Sequence, residues 1–534
     1  MKILRFLLIA ISVIPAYTGA VAQHGIDNPV TKAVLGVYEN MLRENPNDYM
    51  TLFRRANEYY HHNEYIRSLK DIEQAIKLTP QSDKDLRFQE FMLRGAIYSI
   101  TGRHAQALAD FTEAVNIDPT SYAAVYQRAN TEYELEQFAE AKADYLKLQR
   151  MNSRSSESPL GLARIAVKEN NLGLASDYLA QAVSLDPNNA DTYVRRASVR
   201  KQMGDHNGAV DDLILAVSSD SKNNKAIEAL VEYGNTNYTA TMTGLTNAIR
   251  QVPDVGMFWY LRAVIAQAHC HYLSAIEDFN HIIDNKLYNY HGLHASVAEC
   301  EFYLGRFEDA LKDIDYALGM VKNDAPYFAL KSKILRALGR YDDAVEAGAR
   351  ALSCDRNYAD GLLEMGLAYM KKENYKEANN LFGEAIMTNA ENPYYYMVRA
   401  WLLGEYMKQR EAAAQFYEQV ASMDQFYLDN IRSLKGFALL FSDNVTAAES
   451  WINNILTTVP DYDGMINYYG ACFYAQAGDN DRALQCAEAS LKAGYGNLFD
   501  WMYNTDARIN CAPLRDDLRF LNLLHRYNGL FESK

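Results

Sequence analysis

The chain has 534 residues, with 53 Lys and Arg against 68 Asp and Glu, a formal net charge of −15 and 39 tyrosines among its 12 % aromatic side chains. At 49 % apolar it has enough core material to exclude a disordered chain, and no apolar run reaches the ~18 residues that suggest a membrane span. The acid excess argues against a sequence-independent grip on nucleic acid, which needs clustered Lys and Arg facing phosphates.

Residues 1–22 read as an export signal peptide. Lys2 and Arg5 form a positive start, Phe6 to Ile14 is apolar, and Ala20-Val21-Ala22 fits the small-x-small rule for cleavage after Ala22. Nine apolar residues span only ~14 Å as helix, too short for a bilayer. The predicted location is the periplasm, with secreted or envelope-associated as the alternatives. The six cysteines, Cys270, Cys300, Cys354, Cys472, Cys486 and Cys511, would then meet an environment that permits disulfides. Their spacing selects no pairing, and small buried helix residues are the plainer reading for most.

Residues 29–46 (PVTKAVLGVYENMLRENP) predict a lone helix capping the array, within an N-terminal segment 23–46. From residue 47 a period of about 34 residues takes over. One small-residue phase runs Ala107, Ala141, Ala175, Ala209, Ala275, Ala310, Ala344, Ala378, Ala412, Ala447 and Ala483; Ser68 and Thr241 fill the same phase in the two other units, making thirteen. A second small phase follows seven residues later (Ala75, Ala114, Ala182) and a third precedes by twelve (Ala56, Gly95, Ala129, Gly366). Gly102, Gly204, Gly305, Gly339 and Gly478 fall midway, where a turn between helices suits glycine. Such a unit is an antiparallel helix pair that cannot bury its apolar face alone, so the units must stack.

LRGAIYSITGRHAQALADFTEAVNIDP (93–119) and LEMGLAYMKKENYKEANNLFGEAI (363–386) resemble the tetratricopeptide repeat family. The resemblance covers residues 47–495. It implies an all-α fold, a right-handed α-solenoid of about thirteen helix pairs with capping helices at both ends, the first helix of each pair lining a concave face. We divide it into a front array (47–221), a degenerate sixth unit (222–255), a rear array (256–495) and a C-terminal cap (496–534) closed by Leu514, Phe520 and Leu524. Residues 233–247, rich in Thr and Asn, weaken helix propensity and read either as a hinge or as tolerated drift. Ser82 to Leu86 are additional residues, read as a longer loop.

Arginine precedes the third phase in six units, and an acid stands sixteen residues later in five of them: Arg55 and Asp71, Arg94 and Asp110, Arg128 and Asp144, Arg196 and Asp212, Arg262 and Asp278. An Arg row that carries its own neutralisers predicts structural ion pairs between helices, not an acidic-ligand site. Arg399 lacks an acid, and Asp313 lacks an Arg.

No nucleotide, hydrolase or calcium motif is present, and no cofactor is implied. Five histidines, His269, His271, His281, His291 and His294, cluster in sequence beside Cys270 and Cys300. Their register puts the first two at one end of a helix and the other three at the opposite edge, so solvated loop histidines are expected before a metal site. In the family's register the concave face includes Phe53, Asn57, Tyr60, Tyr126, Asn130, Tyr133, Tyr260, Phe302, Trp401 and Tyr468, amphipathic rings and amides suited to a peptide or a partner helix. The function implied is a non-catalytic interaction scaffold in the cell envelope, whose partner is another protein or peptide. A periplasmic substrate-binding chaperone is the alternative, and a metal-dependent enzyme using residues 269–300 the more distant one.

Overall fold

The computed structural model describes residues 28–288, 290–423 and 429–532. The predicted signal peptide lies outside them. Among the described residues no helix is long and apolar enough to cross a membrane. The chain divides into two compact units, one ending at Leu230 and the other beginning at Val231, within the Asn224–Thr236 helix.

The first unit opens with the lone helix Pro29–Glu44. Its start is set by Asn28, whose side-chain oxygen accepts from the Val30 amide, and by Pro29, which needs no intrahelical partner. Five antiparallel pairs follow: Tyr49–His61 with Tyr65–Leu78, Lys84–Ile100 with His104–Ile117, Tyr122–Glu134 with Phe138–Met151, Glu157–Lys168 with Leu172–Leu185, and Ala190–Met203 with His206–Ser219. The residues read as a loop extension after Pro80 instead lengthen a helix. Asp83 accepts from the Leu86 amide to start Lys84–Ile100, and Leu86 is buried.

The second unit continues with Tyr238–Gln251 and then seven pairs. These are Gly256–Ala268 with Tyr272–Asn285, Gly292–Tyr303 with Phe307–Met320, Ala325–Ala337 with Tyr341–Cys354, and Ala359–Lys371 with Tyr375–Thr388. Pro393–Trp401 with Arg410–Ser422, Asp429–Phe441 with Val445–Thr458, and Met465–Ala477 with Asn480–Lys492 complete them.

Each pair closes through its small residues. Ala107, Ala141, Ala175, Ala209, Ala275, Ala310, Ala344 and Ala378 are fully buried, and Phe111, Tyr145, Phe279 and Phe382, one turn later on the second helix, fill the space between helices. Where the third phase is Gly95 or Gly366 the ring lies so close to the backbone that an added Cβ would meet Phe111 at 2.8 Å or Phe382 at 2.5 Å. Two assignments of the repeat shift by one. Ala413 and Ala448 are the buried residues, not Ala412 and Ala447. The five-residue π-turn Leu402–Tyr406 adds a residue ahead of Ala413. The turns within pairs carry a left-handed residue, except the one between Asn224–Thr236 and Tyr238–Gln251, where Asn237 has φ −130°. The left-handed residue is glycine at Gly102, Gly204, Gly305, Gly339 and Gly478, but Asn63, Glu136, Asn170, Cys270, Glu373, Lys408 and Asp443 elsewhere.

Leu514, Phe520 and Leu524 are buried, and Leu518–Arg526 packs on the final helix Asn480–Lys492. This part of the C-terminal segment caps the array. Residues 494–515 do something the sequence did not suggest: they pass along the second unit from its first pair, at Cys270 and His271, to its last, at Gln476.

Candidate functional site

In the first unit the aromatic residues expected on the concave face are half-exposed. Phe53 and Tyr60 join Tyr49, Tyr65 and Met92 as partly buried apolar residues on the edge of one core cluster, and Asn57 is half-buried between them. On the next cluster Tyr126 stacks on Tyr122 at 6.4 Å, and Tyr133 lies under the Arg164 guanidinium at 3.9 Å. Arg164 is oriented by Glu134 at 2.8 Å. Asn130 corrects the reading in part. Its side-chain oxygen already accepts from the Tyr145 hydroxyl at 2.8 Å and from Arg164 at 3.3 Å, so it holds the rings in place and leaves that oxygen little scope for a partner's backbone.

The Arg–Asp residues meet within their own repeats. Arg55 donates to both carboxylate oxygens of Asp71 at 2.6 and 2.8 Å, Arg94 to Asp110 at 2.7 and 2.8 Å, and Arg128 to Asp144 at 2.7 and 2.8 Å. Arg262 reaches Asp278 at 2.7 and 2.8 Å, and Arg196 reaches Asp212 from 2.5 Å. These forks are bidentate and charge-assisted. Hydrogen bonding by the carboxylates raises the pKa of Arg55, Arg94 and Arg128. The two unmatched residues find other partners. Arg399 donates to Asn379 at 3.0 Å, and Asp313 meets His294 at 2.6 Å.

In the second unit the four expected concave residues are core. Tyr260, Phe302, Trp401 and Tyr468 are buried, and a partner cannot reach them. Tyr288 and Tyr290 cover Tyr260 at 5.6 and 6.1 Å, and Tyr406 turns its edge to Trp401 at 5.3 Å. The other two are covered by the C-terminal segment. Phe499 packs on Phe302 at 4.4 Å; Tyr495 stacks on Tyr468 at 4.9 Å with Trp501 edge-on at 4.9 Å.

That segment touches successive repeats. Gly494 and Gly496 approach His271 and the Cys270 carbonyl so closely that a side chain would collide. Tyr503 packs edge-on to Phe307 at 5.3 Å, Asp506 binds Arg336, and Lys371 donates to Thr505 at 3.2 Å. Arg508 pairs with Glu405 at 3.1 Å and lies over Phe441 at 4.8 Å; Gln476 donates to the Asn510 carbonyl at 3.1 Å. Ala507 and Arg508 take left-handed backbone, strained for residues with a Cβ, where the segment bends between these anchors. It occupies the face where the family pattern would place a bound peptide. No period in the sequence links this segment to positions such as Arg336, 170 residues before Asp506, or Glu405, 103 residues before Arg508.

The histidines do not assemble, and they are not the solvated loop residues expected. His269 and His271 are packed against Tyr238 at 4.5 and 5.0 Å, and burial lowers the pKa of both, His269 to about 4. His281 stacks on Trp259 at 3.9 Å, and His291 hydrogen-bonds the Tyr327 hydroxyl at 3.1 Å. Among the described residues no three His, Cys, Asp or Glu converge as metal ligands.

The paired helices and their phased small residues define an interaction-repeat solenoid. Three family models, each described as tetratricopeptide repeat, match residues 335–402, residues 126–190 and 301–360, and residues 91–121. The matched residues carry tetratricopeptide repeats, and the chain is a multi-repeat protein of that kind, a fold that serves protein–protein interaction. It is similar to the DnaJ homolog subfamily C member 3 homolog of Dictyostelium discoideum, 34 % identical over 84 residues, 15 % of this chain and 17 % of the relative. The chain thus matches about a sixth of the length of that curated relative. Among solved structures, yeast Tom70 is 14 % identical with a TM-score of 0.36, covering 77 % of this chain and 99 % of that one. YrrB, described as a TPR protein with an unusual peptide-binding site, is 19 % identical with a TM-score of 0.30, covering 36 % of this chain and 96 % of that one.

Proposed function

We propose that the protein is an exported, non-catalytic interaction scaffold of the cell envelope that holds a peptide or partner helix against the first helices of its N-terminal unit. One observation carries the choice of face. Phe53, Tyr60, Tyr126 and Tyr133 remain half-exposed there, whereas Tyr260, Phe302, Trp401 and Tyr468 in the second unit are buried. Half-exposed tyrosines offer large rigid contact area with a hydrogen-bonding tip and lose little conformational entropy on binding. Arg164, fixed over Tyr133 by Glu134, supplies a directed charge at the same surface. Export rests on the pattern of residues 1–22, whose cleavage after Ala22 would leave Gln23 as the first residue.

The test is a pull-down from envelope extract with the mature chain and with a Tyr60→Ala, Tyr133→Ala variant. A single stoichiometric partner, lost in the variant while its circular-dichroism melt stays intact, is expected. Equal retention by the variant removes the proposed face, and recovery of many unfolded clients instead favours a chaperone. Mass spectrometry of the envelope-purified chain reads the N-terminus. A start at Met1 argues against export.

A further inference from the structure

Cys472 and Cys511 are both fully buried, and their sulfurs lie 3.0 Å apart. Cys472 is on the Met465–Ala477 helix; Cys511 is in the C-terminal segment, 39 residues on. That separation is closer than non-bonded sulfurs ordinarily pack and wider than the ~2.05 Å of a covalent S–S bond. The neighbouring chain is held from both sides. Gln476 grips the Asn510 carbonyl, Leu514 is fully buried, and Arg515 donates to the carbonyls of Trp501 and Asn504 at 3.0 and 2.7 Å. The two sulfurs therefore face each other in a place the backbone already fixes. Cys486, the nearest other cysteine in sequence to Cys472, sits on the following helix and is only half-buried.

We propose that Cys472 and Cys511 are joined by a disulfide that staples the C-terminal segment onto the last helix pair, holding residues 494–515 in the face of the second unit. The oxidant is an external disulfide, of a small molecule or an oxidoreductase. One cysteine thiolate attacks a sulfur of that disulfide, forming a mixed disulfide and expelling one thiolate. The second cysteine, also deprotonated, attacks the chain sulfur of the mixed disulfide, forms the Cys472–Cys511 bond and expels the other thiolate. The two chain thiols lose two protons and two electrons, and the oxidant's disulfide is reduced to two thiols. Burial raises the Cys472 thiol well above its ordinary range, so exchange takes place before the segment is seated and the seated bond is shielded from reductants. A cross-link closing a loop of this length restricts the unfolded and undocked states. The second unit's aromatic face is then closed when the bond is present and can open when it is reduced.

The full chain, unfolded under reductant, is refolded with glutathione disulfide, denatured in the presence of the alkylating agent and digested with trypsin without reduction. Peptides 436–482 and 509–515 are expected joined with the loss of two hydrogens, while the Cys486 peptide 483–492 is alkylated. Full alkylation of Cys511, or its linkage to any other cysteine, overturns the bond. Hydrogen exchange of the native oxidised chain then tests the staple. Amide protection over 494–515 should fall at least about tenfold on reduction, with residues 49–219 unchanged. Equal protection before and after reduction overturns the staple. Cys511→Ala, whose protection should not respond to reductant, serves as control; the wild-type comparison stands without it.

Discussion

Arg336, at the end of the Ala325–Ala337 helix, meets both carboxylate oxygens of Asp506 at 3.1 and 3.2 Å across 170 residues of chain. Its guanidinium also donates to Glu364 at 3.1 Å, and its side chain is 7 % exposed. Burial opposes the charge, but Asp506 and Glu364 outweigh it and the net shift is upward. The Arg336 Nε already has no hydrogen-bond partner among the described residues, so there is no slack for a further loss. Asp506→Ala should destabilise the second unit by about 3 kcal/mol, the usual cost of breaking a buried pair from one side. Urea unfolding of the second unit reads the shift. An unchanged midpoint would show that Asp506 does not anchor the segment.

The repeat pairs differ because each is local. Asp212 is fully buried and accepts from Arg196 at 2.5 Å and from Arg200 at 3.0 Å. Asp212→Leu alone strands Arg196, the more buried of the two guanidiniums, while Arg200 keeps the Gly208 carbonyl at 2.9 Å, and should cost about 2–4 kcal/mol. Arg196→Met together with Asp212→Leu should recover at least about 1 kcal/mol of that, since paired apolar replacements remove the desolvation cost on both sides. A double variant no more stable than Asp212→Leu, by chemical denaturation, would mean that Arg196 costs nothing when left without its partner.

The contrast between these two ion clusters marks what the sequence could reveal. Arg55 and Asp71 stand sixteen residues apart in one repeat, and the same spacing recurs down the chain, so their contact is written in the period. Arg336 and Asp506 share no period, and neither residue type is unusual at its place. The thirteen helix pairs were legible for the same reason as the first pairing: buried Ala at fixed phases is imposed by close helix approach. The shift from Ala412 to Ala413 was not, because a π-turn changes register without any marker residue. Four of the ten residues expected on the binding face, Tyr260, Phe302, Trp401 and Tyr468, were misread on similar grounds. Whether Phe302 is open or covered depends on Phe499, and only the path of the segment brings the two within 4.4 Å.

His269 gives the second unit a pH dependence of defined sign. Its ring packs on Tyr238, faces His271, and has an Nδ1 without a hydrogen-bond partner among the described residues; burial, then His271, hold it to about 4, below the ordinary 6.5, against a bond to the Gly234 backbone that raises it. The unfolded chain therefore binds the proton more readily. The stability from the neutral ring is complete above pH 6.5 and is lost as pH falls from 6.5 to 4, by up to about 3 kcal/mol. Glu301 acts in the opposite direction: burial lifts it to about 8, so its contribution is lost as pH rises from 4.5 to 8. His269→Gln removes the first without the second. The stability gap between wild type and variant should change by about 3 kcal/mol between pH 7 and pH 4. A gap independent of pH in urea melts would show that His269 titrates alike folded and unfolded.

Two glycines in helices should respond oppositely to the same substitution. Gly36 lies mid-way along Pro29–Glu44 with nothing within 4 Å of an added Cβ. Gly36→Ala removes backbone entropy from the unfolded chain and should stabilise the capping helix by about 0.5–1 kcal/mol. Gly366 carries the same propensity penalty, but its Cβ would meet the Phe382 ring at 2.5 Å, and that ring is fully buried between the helices of its pair. Overpacking costs about 1–3 kcal/mol, enough to cancel or exceed the propensity gain. Gly366→Ala is therefore expected to be neutral to destabilising by about 2 kcal/mol. Phe382→Leu, which costs stability by itself through the space it leaves, should become less harmful in the Gly366→Ala background. Strictly additive effects in the thermal or urea melts of the four proteins would mean that Gly366 is not there to admit the ring.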